Sequence, residues 1–239
     1  MAIRVSRTVA AVVAASVVLF PAATGATGGA ATKADAVRGS TAFVREAFEA
    51  STGSIELNVF DLALSAASCA VRSGAVEHPQ TLTVIDYSKP SDQKRLWVFD
   101  LTKGELMYEE LVAHGQGSGA ERSTFFSNEP ETHRSSLGLF VTDTTYVGKN
   151  GYSLRMDGLD QGINDRARER AIVVHGAPYV SDEFVKANGR LGRSWGCPAL
   201  RNDIAREIID RIKGGGLVFA YYPDAELMKS SKFLGDCGE

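Results

Sequence analysis

The run Ala171-Ile172-Val173-Val174-His175-Gly176-Ala177 decides the architecture: it is short, apolar and rich in β-branched residues, and it delivers a histidine near its end. A run of this length, bounded by polar sequence, reads as a buried strand carrying one polar side chain to its tip. Further on, Gly192-Arg193-Ser194-Trp195-Gly196-Cys197-Pro198-Ala199-Leu200 sets a cysteine in a turn flanked by glycines. Gly196 removes a side chain beside the sulfur, and Pro198 biases Cys197 toward extended backbone. The intervening residues, 176–196, are enough for a loop that returns the cysteine to the strand end.

A thiol reacts as its thiolate and needs a base or a positive field to form it. His175 is the candidate base, since free imidazole titrates at ~6.5, near working pH. Cys197 is then the candidate nucleophile. Amides of the turn, with Gly196, Ser194 and Trp195, form a candidate oxyanion pocket. Arg193 could hold a substrate carboxylate, and Gly176 and His114 are further candidates for contact with substrate. On these residues alone, a structural cysteine is the competing reading.

Outward from this pair the chain alternates strands with a few helices. Ser40 or Thr41 can cap a first helix carrying Phe43, Val44, Ala47 and Phe48. Asn58 can cap a second, which runs through Leu62, Leu64, Ala67 and Val71 and stops near Gly74. From Thr81 the pattern becomes β-like: 81–87, 94–101 and, after a turn at Lys103-Gly104, 105–113. Residues 115–136 form a long polar loop, of the kind that is often functional. Short strands are expected at 137–142, 144–148 and 152–156, and a loop at 182–197. Asn202 or Asp203 then caps a helix with Ile204, Ile208, Ile209 and Ile212 inward. A last strand covers 217–222, and 223–239 reads as a loose tail. The expected fold class is α+β: a β-rich mixed sheet with flanking helices.

The N-terminus reads as an address. Arg4 and Arg7 precede an apolar run from Thr8 to Phe20, which is shorter than the ~20 residues that span a bilayer. Residues 1–26 are expected to be a signal peptide or anchor, 27–39 a linker, and 40–222 the catalytic domain. The mature protein is therefore expected outside the cytoplasm, in the periplasm or cell envelope, touching membrane only if the anchor stays uncleaved. Three cysteines, Cys69, Cys197 and Cys237, leave one unpaired if two bond. Cys69 and Cys237 are the candidate pair, set against a buried Cys69 and a Cys237 in a frayed tail.

Ser194-Trp195-Gly196-Cys197 with the upstream His175-Gly176 resembles the signature of the L,D-transpeptidase catalytic-domain (YkuD-like) family, which has a histidine followed by Ser/Thr-x-Gly-Cys. Further similar segments are 84–91, 113–119, 126–128 and 135–138, and the likeness covers roughly 40–222. It implies that Cys197 is the nucleophile and His175 the base, with Ser194 and Gly196 shaping the pocket. It implies a peptidoglycan stem tetrapeptide as substrate, a cysteinyl thioester with loss of D-Ala, and transfer to an amine to give a 3–3 cross-link. The alternatives are transfer to water, as in a murein peptidase, and an inactive wall-binding module. The chain departs from the usual pattern at Trp195, where many members carry a second histidine. It departs again at Pro198-Ala199, where a small aliphatic residue and an arginine are usual.

A net charge of −3 and the absence of a basic stripe argue against nucleic acid. Four scattered histidines make no metal motif, so no metal or cofactor is expected. His78 and His133 read as solvated. Tyr146, Tyr152 and Tyr179 read as core residues or as a peptide groove, and Arg166–Arg170 reads as a solvated charged face.

Overall fold

A computed structural model describes residues 2, 43, 45–48, 52–235 and 237. The chain divides into two units, Met1–Ala30 and Ala31–Glu239; in the first, only Ala2 is described. Apart from Ala2, the expected signal segment and linker, with caps at Ser40 and Thr41, lie outside the described residues. Of the expected first helix, a 3-10 turn at Arg45–Phe48 is described.

Among the described residues, eight strands form one mixed sheet: β1 (Thr81–Asp86), β2 (Leu96–Asp100), β3 (Glu105–Glu110), β4 (Gly138–Gly148), β5 (Gly151–Gly158), β6 (Val173–Gly176), β7 (Ala199–Leu200) and β8 (Leu217–Tyr221). Their spatial order is β3-β2-β1-β8-β4-β5-β6-β7. β1 pairs with β8 in parallel, as does β6 with β7; the other neighbours are antiparallel.

β1 is buried along its whole length because helices cover both faces of the sheet's centre. On one face, α1 (Leu57–Arg72) sets Phe60, Ala63, Leu64 and Ala67 against Leu82, Val84, Phe99 and Phe219. Phe48, Phe60 and Phe99 meet there with centroid separations of 4.5–5.7 Å. On the other face, α3 (Asn202–Ile212) sets Ile208, Ile209 and Ile212 against Ile85, Val174 and Val218. Each such side chain, fully buried, contributes about 1.5–3 kcal/mol.

Several expectations change. α1 begins before Asn58, because the amides of Val59 and Phe60 already find the carbonyl of Glu56. Asn202 lies inside α3, with Arg201 at the cap position. The segments 137–142 and 144–148 are one strand, β4, with a register shift between Thr142 and Thr145. The expected loop at 182–197 opens as α2 (Asp182–Asn188), whose cap Ser181 accepts from the Phe184 amide and which ends at Gly189 with φ +69°. The tail contains α4 (Ala225–Ser230) and is stapled to α1 by a disulfide between Cys69 and Cys237.

The segment leaving β3 reaches the far edge of the sheet. Ala113 N–H donates to Ala199 O at 2.9 Å, and Ser194 N–H donates to His114 O at 2.9 Å. The turn that carries Cys197 is thus fixed to the start of the long loop as well as to β6.

Candidate active site

β6 and β7 pair in parallel through His175↔Ala199 and Gly176↔Leu200. Cys197 stands two residues before Ala199, and residues two apart on extended backbone share a face. The Val173 amide lies near enough to the Cys197 sulfur to favour its charged form. The sulfur therefore sits at the mouth of β6, two residues or about 7 Å of strand before His175. The S–H donates to the carbonyl of Ala171 at 3.7 Å, and Ala171 adopts φ +54°. Cys197 is the free thiol among the described cysteines and is 8% exposed.

His175 is buried on β6, and its Nδ1 lies 2.9 Å from the carbonyl of Gly176. A carbonyl only accepts, so Nδ1 carries the proton and Nε2 keeps the lone pair. Burial pushes the imidazole pKa down, partly offset by this hydrogen bond. Burial likewise pushes the Cys197 thiol up, while the Val173 amide and Arg170 pull it back. The two shifts favour a neutral thiol and a neutral imidazole.

The turn is closed by its own side chain. Ser194 Oγ accepts from Gly196 N–H at 3.1 Å and donates to Cys197 O at 2.6 Å. Gly196 adopts φ +121°, and a Cβ there would meet Arg134 O and Ile172 Cδ1, each at 2.8 Å. Ser135 ties the turn to the long loop: its Oγ donates to Gly196 O and accepts from Gly115 N–H, both at 3.0 Å.

The other sequence candidates fall in different places. Trp195 is 67% exposed and stacks on His133 at 4.8 Å, so it faces outward rather than into an oxyanion pocket. The Gly196 amide is taken by Ser194, which removes it as an oxyanion donor. Arg193 is half-buried and donates to Gly119 O at 3.0 Å. A Cβ on Gly176 would meet Asn202 Oδ1 at 2.7 Å, so the α-carbon faces α3, while the Gly176 carbonyl holds His175 Nδ1. His114 is fully buried, and its Nδ1 accepts from Arg95 Nη2 at 2.8 Å. Burial, and then the Arg95 charge, push its pKa down to about 3. A sealed neutral ring cannot reach substrate; His114 holds the loop.

Sequence reasoning missed Tyr87 and the inward turn of Arg170 near the thiol, and left Tyr179 open between core and peptide groove. Tyr87, beyond the end of β1, is fully buried, hydrogen-bonds Ser135 and is pushed up to about 12, chiefly by burial. Tyr179 packs over Gly192 and is also pushed up to about 12 by burial and then by Cys197. Arg170 turns inward from the expected solvated face. Among the described residues, no group of histidines, cysteines or carboxylates could hold a metal.

A family model described as the L,D-transpeptidase catalytic domain matches residues 51–221. The chain belongs to that family. The mixed sheet with flanking helices is accordingly that of an α+β L,D-transpeptidase domain. Similar solved structures include an L,D-transpeptidase from Mycobacterium smegmatis, at 16% identity over 60% of this chain and 59% of that one, TM-score 0.37. Another is an L,D-transpeptidase from Stackebrandtia nassauensis, at 14% identity over 69% and 68%, TM-score 0.37. A third is the helical cell shape determining protein from Campylobacter jejuni, at 13% identity over 62% and 49%, TM-score 0.42. The match thus spans less than two thirds of the first of these chains. No curated protein matches.

Proposed function

We propose that this L,D-transpeptidase domain acts through Cys197 as nucleophile and His175 as base on the peptide stems of peptidoglycan. The observation that supports the reading is the parallel β6–β7 register, which pairs His175 with Ala199, two residues after Cys197. The tautomer fits the task, since Nδ1–H is held by Gly176 O and Nε2 is left to accept a proton.

At rest the thiol proton points to Ala171 O, so attack begins with rotation of the Cys197 side chain away from that carbonyl. The proton then passes from Sγ to His175 Nε2 as sulfur bonds to the carbonyl carbon of the third stem residue. Of the turn's amides, Gly196 is occupied and Pro198 has no N–H, which leaves those of Trp195 and Cys197 as candidate oxyanion donors. Collapse of the tetrahedral intermediate breaks the peptide bond. The imidazolium returns its proton to the leaving amine of D-Ala, and a thioester stays on Cys197. An amine from a neighbouring stem, deprotonated by His175, displaces sulfur to form the 3–3 cross-link. The scheme needs no nucleotide, because the cleaved peptide bond supplies the acyl group.

The Cys69–Cys237 disulfide fits an oxidising compartment, and so an exported enzyme at the cell wall. Among the described residues, no helix is long and apolar enough to cross a membrane.

The test is incubation with disaccharide-tetrapeptide, followed by intact-mass measurement and chromatography of products. An adduct on Cys197 with release of D-Ala, followed by a cross-linked dimer, is expected. Tripeptide as the sole product would make the enzyme a hydrolase. Binding without an adduct would overturn the reading.

A further inference from the structure

Three arginines lie between 166 and 170, and their partners differ in kind. Arg166 pairs with Glu129 at 2.7 Å and Glu169 at 3.0 Å. Arg168 pairs with Asp143 at 2.7 Å and with Asp157. Arg170 is half-buried, and its hydrogen bonds go only to neutral oxygens: Ser127 O at 2.6 Å, Ser136 Oγ at 2.5 Å and Arg134 O at 2.6 Å. Among the described residues it has no carboxylate within ion-pairing distance.

That uncompensated cation stands beside the thiol. Its partner Arg134 O is the carbonyl against which Gly196 packs. Its chain neighbour Ala171 supplies the carbonyl that receives the Cys197 S–H, through left-handed backbone. A half-buried charge is costly to desolvate without an anion to offset it. The charged and titratable groups that act on the sulfur are Arg170 from the entry to β6, Tyr87 beyond β1 and Tyr179 beyond β6. Among these, Arg170 is the group that carries a fixed positive charge.

We infer that Arg170 is a positioning residue whose charge offsets the negative charge developing on Cys197 Sγ, while its three hydrogen bonds hold the long loop over the turn. The inference rests on Cys197 as the nucleophile. No bond forms to Arg170: the thiol proton leaves for His175 Nε2, and the guanidinium remains protonated throughout. As the imidazolium later gives up its proton, Arg170 still faces the sulfur, so it favours thiolate as the leaving group when the amine resolves the thioester.

The experiment titrates the thiolate by its ultraviolet absorbance, as the difference between each full-length protein and its Cys197→Ser counterpart. The proteins are wild type, Arg170→Gln, Arg170→Lys and Arg166→Gln, with thermal melts alongside. Arg170→Gln is expected to raise the thiol midpoint by about one pH unit, a roughly tenfold loss of thiolate at a given pH. Arg170→Lys should keep most of the wild-type value although it loses hydrogen bonds, and Arg166→Gln should keep all of it. An unchanged midpoint in a folded Arg170→Gln, or an equal rise in Arg170→Lys, would overturn the inference. If Arg170→Gln does not fold, Arg170→Lys against wild type still decides: a retained midpoint supports the charge, and a rise sinks it. No wall substrate is used, so a failure here is distinct from a failure of acyl transfer.

Discussion

Arg95 Nη2 donates to His114 Nδ1 at 2.8 Å, with both side chains fully buried. The guanidinium also holds Val112 O through Nε and Nη2, and Lys89 O through Nη1. The pair locks the segment between β3 and the long loop, and it does so only while the imidazole is neutral.

Stability should therefore fall in acid. The folded-state pKa of His114 is about 3, whereas the unfolded chain titrates near the usual 6.5. Its contribution is fully present above the unfolded value and is lost as pH drops toward the folded one, at up to about 1.4 kcal/mol per pH unit. His175 acts in the same direction. Chemical denaturation at a series of pH values should show this slope, and His114→Asn should flatten it.

Activity should have its own acidic limb. The acylating step needs neutral His175, and burial lowers its pKa. Activity should rise with pH through a midpoint below about 6.5 and then level off. A pH profile of kcat/KM on a tetrapeptide substrate measures it. A limb centred well above that value would point to a different base.

Cys197→Ala should abolish thioester formation and turnover. The residue is buried, so a modest loss of stability, about 1 kcal/mol, is expected from the space left behind. Mass spectrometry after incubation with substrate and a melting curve check the two halves.

Ser135→Ala should loosen the turn without touching the nucleophile. It removes the donor to Gly196 O and the acceptor for Gly115 N–H, leaving two backbone groups unpaired. A cost of about 1–3 kcal/mol is expected, with a fall in kcat larger than any change in KM. Steady-state kinetics and calorimetry decide.

Replacing Cys69 and Cys237 with alanine should destabilise the domain by about 2–4 kcal/mol. The pair closes a sequence separation of 168 residues. The measurement is denaturant unfolding of the double variant against wild type, under non-reducing conditions.

The strand ending at His175 and the glycine-flanked turn at Cys197 are legible locally, because apolar run length and Gly/Pro placement are short-range signals. So are α1 and α3, from the spacing of their buried residues. What escapes is set by distance along the chain. Arg95 falls inside the expected strand 94–101 with nothing to mark it, yet its acceptors include Val112 O and His114, residues that only the folded sheet brings around it. Arg170 sits in a run of alternating charge that looks solvated, and its role follows from carbonyls 36 and 43 residues away. The segment 182–197 reads as loop, and its first part is a helix capped by Ser181, whose Oγ accepts from the Phe184 amide.

Trp195 is touched from two sides, by the stacked ring of His133 and by Lys149 Nζ, 5.7 Å from the ring centroid, at the tip of the β4–β5 hairpin. The chain has two tryptophans, and the other, Trp97, is fully buried in β2. The molecule thus carries an intrinsic optical probe: Trp97 gives a steady emission from the interior, while Trp195 reports the solvent at the rim of the thiol turn. A shift in the red part of the emission on adding a stem peptide would record occupancy before any covalent step, with no label attached.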